Sequence, residues 1–225
     1  MTKDEWLQMY IPPNIALFGG NEFQSSCMEF DRSLIKACAN PKPKIAIIPT
    51  AASFENPKKA ANNGLKYFAS LGANPFDLMI LNREDANDQS LSKKLEDTDV
   101  IYLTGGDPSH LYEVLQGSVF LNQMRVLYEK GAIIAGSSAG AMVLGEFFGV
   151  TNPKKGLGVV PATLIVPHCE KFDIRSLRQP HLVNEKGIQV IGLDTATGVL
   201  NTGDDLIMKG KGEVTVFDMW SLFLS

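Results

Sequence analysis

The sequence predicts an α/β protein with three layers, a mostly parallel sheet covered by helices on both faces. Three observations carry that reading. Short apolar runs alternate with helical segments along most of the 225 residues. The runs are apolar throughout rather than at every second position, the pattern of strands buried on both faces. Several of them close in glycine turns, which places small residues at the carboxyl edge of the sheet, where ligands bind in such folds. The length suits one domain spanning residues 1–225.

The first strand is Asn14-Ile15-Ala16-Leu17-Phe18, closed by Gly19-Gly20, and Cys27 to Ala39 supplies a crossover helix. Lys44 to Thr50 repeats the strand signal. Pro57 to Leu71 reads as a helix stopped by Gly72, Pro75 to Leu81 as a third strand and Asp88 to Leu95 as a short helix. Val100 to Leu103 is the fourth strand, ending in Thr104-Gly105-Gly106-Asp107 and followed by helical segments over Pro108 to Gln116 and Phe120 to Lys130. Ala132 to Ala135 makes the fifth, with a helix over Ala141 to Phe147 behind it. Thr151 to Gly158 reads as an exposed loop at the edge of the site. Thr163 to His168 and Gln189 to Asp194 are further strands around a helix over Ile174 to Lys186, and Glu213 to Phe217 reads as a late antiparallel strand.

Composition narrows the functional classes. A formal charge of −4 and an isoelectric point near 5.4 argue against a broad basic face, so nucleic acid is not an expected partner. Cys27, Cys38 and Cys169 are scattered and match no zinc-ligand spacing, which fits a reducing compartment. The opening residues show no signal peptide and no run suits a membrane span, so the expectation is a cytoplasmic protein with no membrane partner. Neither a dinucleotide fingerprint nor a phosphate-binding loop is present, and no acidic pair is accompanied by a histidine at ligand spacing; no cofactor and no metal are expected. A homodimer is compatible with the composition.

The chemistry concentrates at Gly136-Ser137-Ser138-Ala139-Gly140, which fits G-x-S-x-G. In that pattern a sharp strand-to-helix turn lifts a serine hydroxyl above the sheet edge, and bulky neighbours would collide with the strand or the helix. The bland alternative is a Gly/Ser-rich turn that only packs. A nucleophilic Ser138 needs a base, and the chain has three histidines. His168 ends a predicted strand and so stands at the same edge as Ser138. His110 lies in the first turn after the fourth strand and is the rival, while His181 sits mid-helix, where a solvated histidine is expected. The oxyanion of a tetrahedral intermediate needs amide donors, for which the position after Ser138, Ala139, and the Gly105-Gly106 turn are candidates. The same turn also reads as a helix cap made by Asp107 or Ser109. Arg175 and Arg178 follow His168 and suit either a substrate carboxylate or a solvated face.

Taken in order, Tyr102-Leu103-Thr104-Gly105-Gly106-Asp107, Gly136-Ser137-Ser138-Ala139-Gly140-Ala141 and Pro167-His168 resemble the oxyanion loop, nucleophile turn and base of the peptidase E and cyanophycinase family of serine peptidases. The resemblance runs from about Asn14 to Phe217. It implies a class I glutamine amidotransferase-like fold, a Ser138–His168 hydrolase of small peptides with Gly106 and Ala139 as oxyanion donors, and dipeptidase or exopeptidase action. Two departures stand out. Gly192-Leu193-Asp194-Thr195 has threonine where family members commonly carry the glutamate of the triad, so either Asp194 orients His168 or the triad is incomplete. Asp107-Pro108 replaces an Asn-containing oxyanion loop, setting a carboxylate where an acidic substrate would be repelled.

Two other functions fit the residues. An α/β-hydrolase-type esterase would use Asp173 and His181 in the order Ser, acid, His. A catalytically silent ligand-binding or interaction protein on the same scaffold would account for the missing glutamate.

Overall fold

The computed structural model describes residues 2–172 and 188–218. A helix α1 (Lys3–Tyr10) opens it, fixed by a reciprocal cap in which Thr2 and Glu5 each accept the other's amide. Strand β1 (Ile15–Phe18) leads through a short turn to α2 (Met28–Ala37), β2 (Lys44–Ile48), α3 (Pro57–Ser70) and β3 (Asn74–Asp77). Two short helices, α4 (Arg83–Asn87) and α5 (Gln89–Lys93), precede β4 (Val100–Leu103), α6 (Pro108–Leu115), α7 (Val119–Glu129) and β5 (Ile133–Ser137). After β5 come α8 (Ala139–Leu144), β6 (Gly145–Phe148), β7 (Lys154–Lys155), β8 (Val160–Pro167), β9 (Gln189–Leu193), β10 (Thr197–Asn201), β11 (Leu206–Gly210) and β12 (Val214–Asp218).

The strands form two sheets. The larger runs β11-β10-β1-β5-β4-β2-β3; its five strands from β1 to β3 are parallel, and β10 and β11 close one side antiparallel. The smaller runs β12-β9-β8-β6-β7, with β6, β8 and β9 parallel and the two outer strands antiparallel. Helix α8 packs on both β5 and β8, so it lies between the two sheets.

The unbroken apolar runs have a direct explanation. Along β1, Ile15 and Leu17 enter one core while Ala16 and Phe18 enter another; β2 divides likewise into Ala46 and Ile48 against Ile45 and Ile47, and β4 into Ile101 and Leu103 against Val100 and Tyr102. Each strand therefore feeds a core on both faces, and its buried positions are all taken by apolar side chains. On the smaller sheet Ile165, Ile191 and Leu193 join the first of these cores, whereas Leu164, Val166 and Val190 form a third.

The α/β class with helix-covered, mostly parallel strands is the observed one, with details the sequence reading did not contain. Strands β8 and β9 belong to the second sheet rather than prolonging the first, and β10 and β11 complete the first. The helix expected over Ala141 to Phe147 begins at Ala139 and ends at Leu144, because the chain turns at Gly145 into β6. Gly145 sits so close to the backbone of β8 that an added Cβ would lie 3.1 Å from the Thr163 carbonyl oxygen. The segment expected as a loop, Thr151 to Gly158, contains β7 and buries Leu157. The helix expected over Ile174 to Lys186 lies outside the described residues.

Candidate active site

Ser138 stands at the junction of β5 and α8 with φ 48° and ψ −113°. A non-glycine residue held there stores on the order of 1–3 kcal/mol of backbone strain, sustained only when its surroundings over-determine it. They do. The Ser138 amide donates to the Phe18 carbonyl of β1 (3.0 Å), and its own carbonyl accepts from the Met142 amide (2.9 Å). Gly136 and Gly140 make the turn sterically attainable: a Cβ on Gly140 would fall 2.2 Å from the Leu103 carbonyl oxygen, and one on Gly136 would fall 2.5 Å from the Gly140 carbonyl carbon.

His168 follows the last residue of β8 in a left-handed conformation (φ 104°), with its amide donating to the Leu193 carbonyl of β9 (3.1 Å). That backbone turn swings the ring back across the sheet edge, where it lies over Gly20; a Cβ on Gly20 would come 2.2 Å from the ring's Cε1. Nε2 is then 2.9 Å from Ser138 Oγ. On the other side, Nδ1 is 3.0 Å from Thr195 Oγ1, and Thr195 is held in turn by Glu170: its hydroxyl donates to Oε1 (2.6 Å) and its amide to Oε2 (3.0 Å).

This chain fixes the tautomer. An ionised carboxylate only accepts, so the single Thr195 hydroxyl proton goes to Glu170, and Thr195 Oγ1 meets His168 as an acceptor of Nδ1–H. Nε2 is left without a proton and faces the serine hydroxyl. Burial and the nearby Lys171 ammonium hold the imidazole pKa below its ordinary value, against the opposing pull of Glu170 and Glu22. The ring is therefore neutral near pH 7, the state a general base requires. Burial pushes the Glu170 carboxyl up, but the hydrogen bonds from Thr195 and the Lys171 charge outweigh it and hold the group below its usual value, ionised.

Asp194 does not meet His168. Its Oδ2 accepts the Glu213 amide (2.9 Å), and its side chain packs so tightly on Gly212 that a Cβ there would lie 2.4 Å from the Asp194 Cβ. Asp194 is committed to the approach of β12, and its neighbour Thr195 presents the polar group to the imidazole. Sequence reasoning located the departure at Thr195 but missed Glu170, whose one signal is its position two residues after His168. It also missed Glu22.

The turn after β4 forms the opposite wall. Gly106 has φ 137°, and a Cβ there would fall 2.2 Å from the Ala51 carbonyl oxygen. Asp107 caps α6, its Oδ1 accepting the amides of Ser109 (2.8 Å) and His110 (3.1 Å), so its carboxylate is engaged in the helix start. Glu22 Oε1 accepts the Gly105 amide (2.8 Å), and its Oε2 accepts the Ser137 hydroxyl (2.8 Å). Ser138, His168, Gly105, Gly106, Glu22, Glu55 and Lys59 line a cleft of about 430 Å³. Ala139 follows Ser138 as the first residue of α8, where an amide has no acceptor within its own helix. His110 is placed elsewhere: its Nε2 is 2.9 Å from the Leu81 carbonyl oxygen, and its ring packs on Phe54. Asp173, Arg175, Arg178 and His181 lie outside the described residues. Among the described residues no group of histidine, cysteine and acidic side chains is arranged to hold a metal ion, and no helix is long and apolar enough to cross a membrane.

Compared with known proteins, the chain matches the model of peptidase family S51 over residues 15–209. The chain belongs to that family. Among its S51-like relatives, a cyanophycinase of Geminocystis herdmanii is 24% identical over 229 residues, covering 94% of this chain and 83% of its own. A cyanophycinase of a Nostoc species is 26% identical over 223 residues, covering 91% and 73%. A peptidase from an acI-B1 Actinobacterium superposes with a TM-score of 0.72 at 25% identity, covering 94% of this chain and all of that one. Family membership and these likenesses make the protein a serine-type peptidase of the S51 fold.

Proposed function

We propose that the protein hydrolyses a short peptide or related amide through an acyl-enzyme on Ser138, with His168 as the general base. The observation that carries this reading is the 2.9 Å contact between Ser138 Oγ and His168 Nε2, with Nδ1 engaged by Thr195. As Oγ attacks the scissile carbonyl, Nε2 takes its proton, and the imidazolium returns that proton to the departing amine. Water then repeats the cycle on the ester. The amides of Gly106 and Ala139 are the donors assigned to the tetrahedral oxyanion, a type of interaction whose single donors are worth roughly 10²–10³ in kcat. Thr195, backed by ionised Glu170, takes the orienting place expected of a triad carboxylate. A cleft of about 430 Å³ fits a substrate of dipeptide size and supports dipeptidase or exopeptidase action.

The test is hydrolysis of a panel of dipeptides and short peptides with acidic, neutral and isoaspartyl first residues, by wild type and Ser138→Ala, with a fluorophosphonate probe alongside. Turnover and probe labelling that vanish in Ser138→Ala and in His168→Ala support the reading. Turnover that survives in folded Ser138→Ala rejects it, and a folded wild type that neither cleaves nor labels favours the silent scaffold.

A further inference from the structure

Glu22 belongs to β1's exit turn, far in sequence from both the nucleophile and the oxyanion loop, yet its carboxylate joins them. One oxygen holds the Gly105 amide and the other the Ser137 hydroxyl, each at 2.8 Å. Those partners are the residues immediately before Gly106 and Ser138. The space between is closed: a Cβ on Gly105 would lie 2.9 Å from Glu22 Oε1 and 3.2 Å from the Ser138 Cβ. Resting on the serine-peptidase reading above, we propose that Glu22 is a positioning residue that sets the span between the two halves of the oxyanion site, tying the Gly105-Gly106 turn to the Ser137-Ser138-Ala139 elbow.

The physical argument starts from what the two halves lack without it. The Gly105-Gly106 turn leaves β4 on glycines, which restrict the backbone least, while α8 and the elbow leave the neighbouring strand β5. Strand pairing registers β4 and β5 only as far as Leu103 and Gly136. Beyond that point, among the described residues, one side chain accepts hydrogen bonds from both exits, and it is Glu22. A two-oxygen acceptor is the group suited to this, because one hydroxyl or one amide oxygen would have to share a single acceptor atom between the two donors. The carboxylate also carries charge towards the base. It stands with Glu170 against Lys171 in the field at His168, so it favours the imidazolium that forms as the serine attacks. Geometry and charge therefore act together, and they separate by substitution. Glu22→Gln keeps an oxygen for Gly105 and an amide group facing Ser137 but removes the charge, while Glu22→Ala removes both.

The experiment measures the second-order rate of Ser138 phosphonylation by a fluorophosphonate probe between about pH 5 and pH 9, a range that brackets histidine titration. It uses wild type, Glu22→Gln, Glu22→Ala, Ser137→Ala and Ser138→Ala, with a melting curve for each. In Glu22→Ala the rate is expected to fall about 10²-fold, on the scale of one lost oxyanion donor, without a matching loss of fold. Glu22→Gln retains most of the rate and moves the acid limb of the profile to lower pH, which a purely structural role would not do. Ser137→Ala releases one end of the clamp and loses rate to an intermediate degree. The proposal is overturned if folded Glu22→Ala labels as fast as wild type, or if Glu22→Gln leaves the acid limb unmoved. Should Glu22→Ala fail to fold, Ser137→Ala labelling at the wild-type rate overturns the clamp. Ser138→Ala separates the two readings: labelling that persists there defeats the assignment of the nucleophile itself, whereas labelling lost there but unaltered in the Glu22 variants defeats the clamp alone.

Discussion

Thr195 and Glu170 form a two-point pair in which one carboxylate receives both the side-chain hydroxyl and the backbone amide of the same residue, at 2.6 and 3.0 Å. The pair turns a neutral hydroxyl into an oriented acceptor for His168. A free threonine hydroxyl rotates and offers its proton or its lone pairs with equal ease; one already donating to an ionised acid offers only lone pairs. The negative charge that a triad normally sets against the imidazole is thereby moved one residue further out.

That displacement makes a graded prediction. Thr195→Val deletes the acceptor of Nδ1–H, and kcat is expected to drop by about 10²-fold or more, since losing the group that holds the base in its tautomer costs up to ~10⁴ where a carboxylate does it directly. Glu170→Gln leaves an acceptor for the Thr195 hydroxyl, so it loses less, on the order of tenfold. Thr195→Ser retains the hydroxyl and most of the activity. Steady-state kinetics on whichever panel peptide the wild type cleaves gives the order; equal losses in Thr195→Val and Thr195→Ser would contradict the assignment.

The pH profile follows from the environment of His168. Its pKa lies below the ordinary value of about 6.5 because burial and the Lys171 ammonium disfavour the charged ring. With His168 as the proposed base, activity needs the neutral ring, so kcat/KM is expected to be full near neutral pH and to decline only as pH falls through that depressed pKa. Lys171→Gln removes a positive neighbour, raises the pKa and moves the acid limb to higher pH. A limb that stays in place, or shifts downward, would show that another group governs it.

Gly20→Ala isolates the contribution of one missing side chain. The new methyl would occupy the place of the His168 ring edge, 2.2 Å from Cε1, at a backbone position with φ 109°. The ring must leave Ser138, so turnover and probe labelling collapse. The left-handed backbone adds on the order of 1–3 kcal/mol, which leaves a cooperative melting transition at a lowered temperature. Retention of wild-type labelling would mean that the ring has another resting place from which it still activates the serine.

A fourth expectation concerns stability rather than chemistry. Asp31, on α2, is buried, and its Oδ2 accepts the Tyr67 hydroxyl at 2.8 Å. Burial pushes its carboxyl from 3.8 up to about 7, against the lowering effect of the Tyr67 hydrogen bond. The folded state therefore holds this proton more tightly than the unfolded one. The associated stability is fully present below about pH 4 and is lost as pH rises through about 7. Asp31→Asn removes that dependence, so chemical denaturation should show its stability relative to wild type improving steadily from acid to neutral pH. A constant difference across that range would rule the carboxyl out as the source.

How much of this was legible in the sequence depends on what each feature rests on. The parallel core was readable because two-faced burial leaves its mark on every residue of a strand, as Ile45 to Ile48 and Val100 to Leu103 show. The elbow was readable because Gly136 and Gly140 each meet backbone within 3 Å of where a Cβ would go, a constraint that few other residues satisfy. The second sheet was not, since a run such as Thr163 to Pro167 has the same pattern whichever sheet receives it. Neither was the choice between Asp194 and Thr195. Adjacent residues in a turn point in different directions, and which one faces the imidazole is decided by Gly212 and Glu213 in the turn that leads into β12. Glu170 and Glu22 carry no pattern of their own; each acquires its partners only when distant turns converge.

The Ser138–His168 pair is divided between the two sheets. Ser138 arrives on the larger one, while His168 and Thr195 arrive on the smaller, and they meet across the Gly19-Gly20 turn. There Gly19 donates to the Thr197 carbonyl (2.9 Å), and Gly20 accepts from the Ala196 amide (3.1 Å). During synthesis the serine therefore emerges well before its base, and the base before the hydroxyl that holds it. On the proposed mechanism a growing chain presents Ser138 without its base until β8, β9 and the Thr195 turn have been made and have docked beside it, which gives a peptidase a built-in delay between acquiring its reactive group and being able to use it.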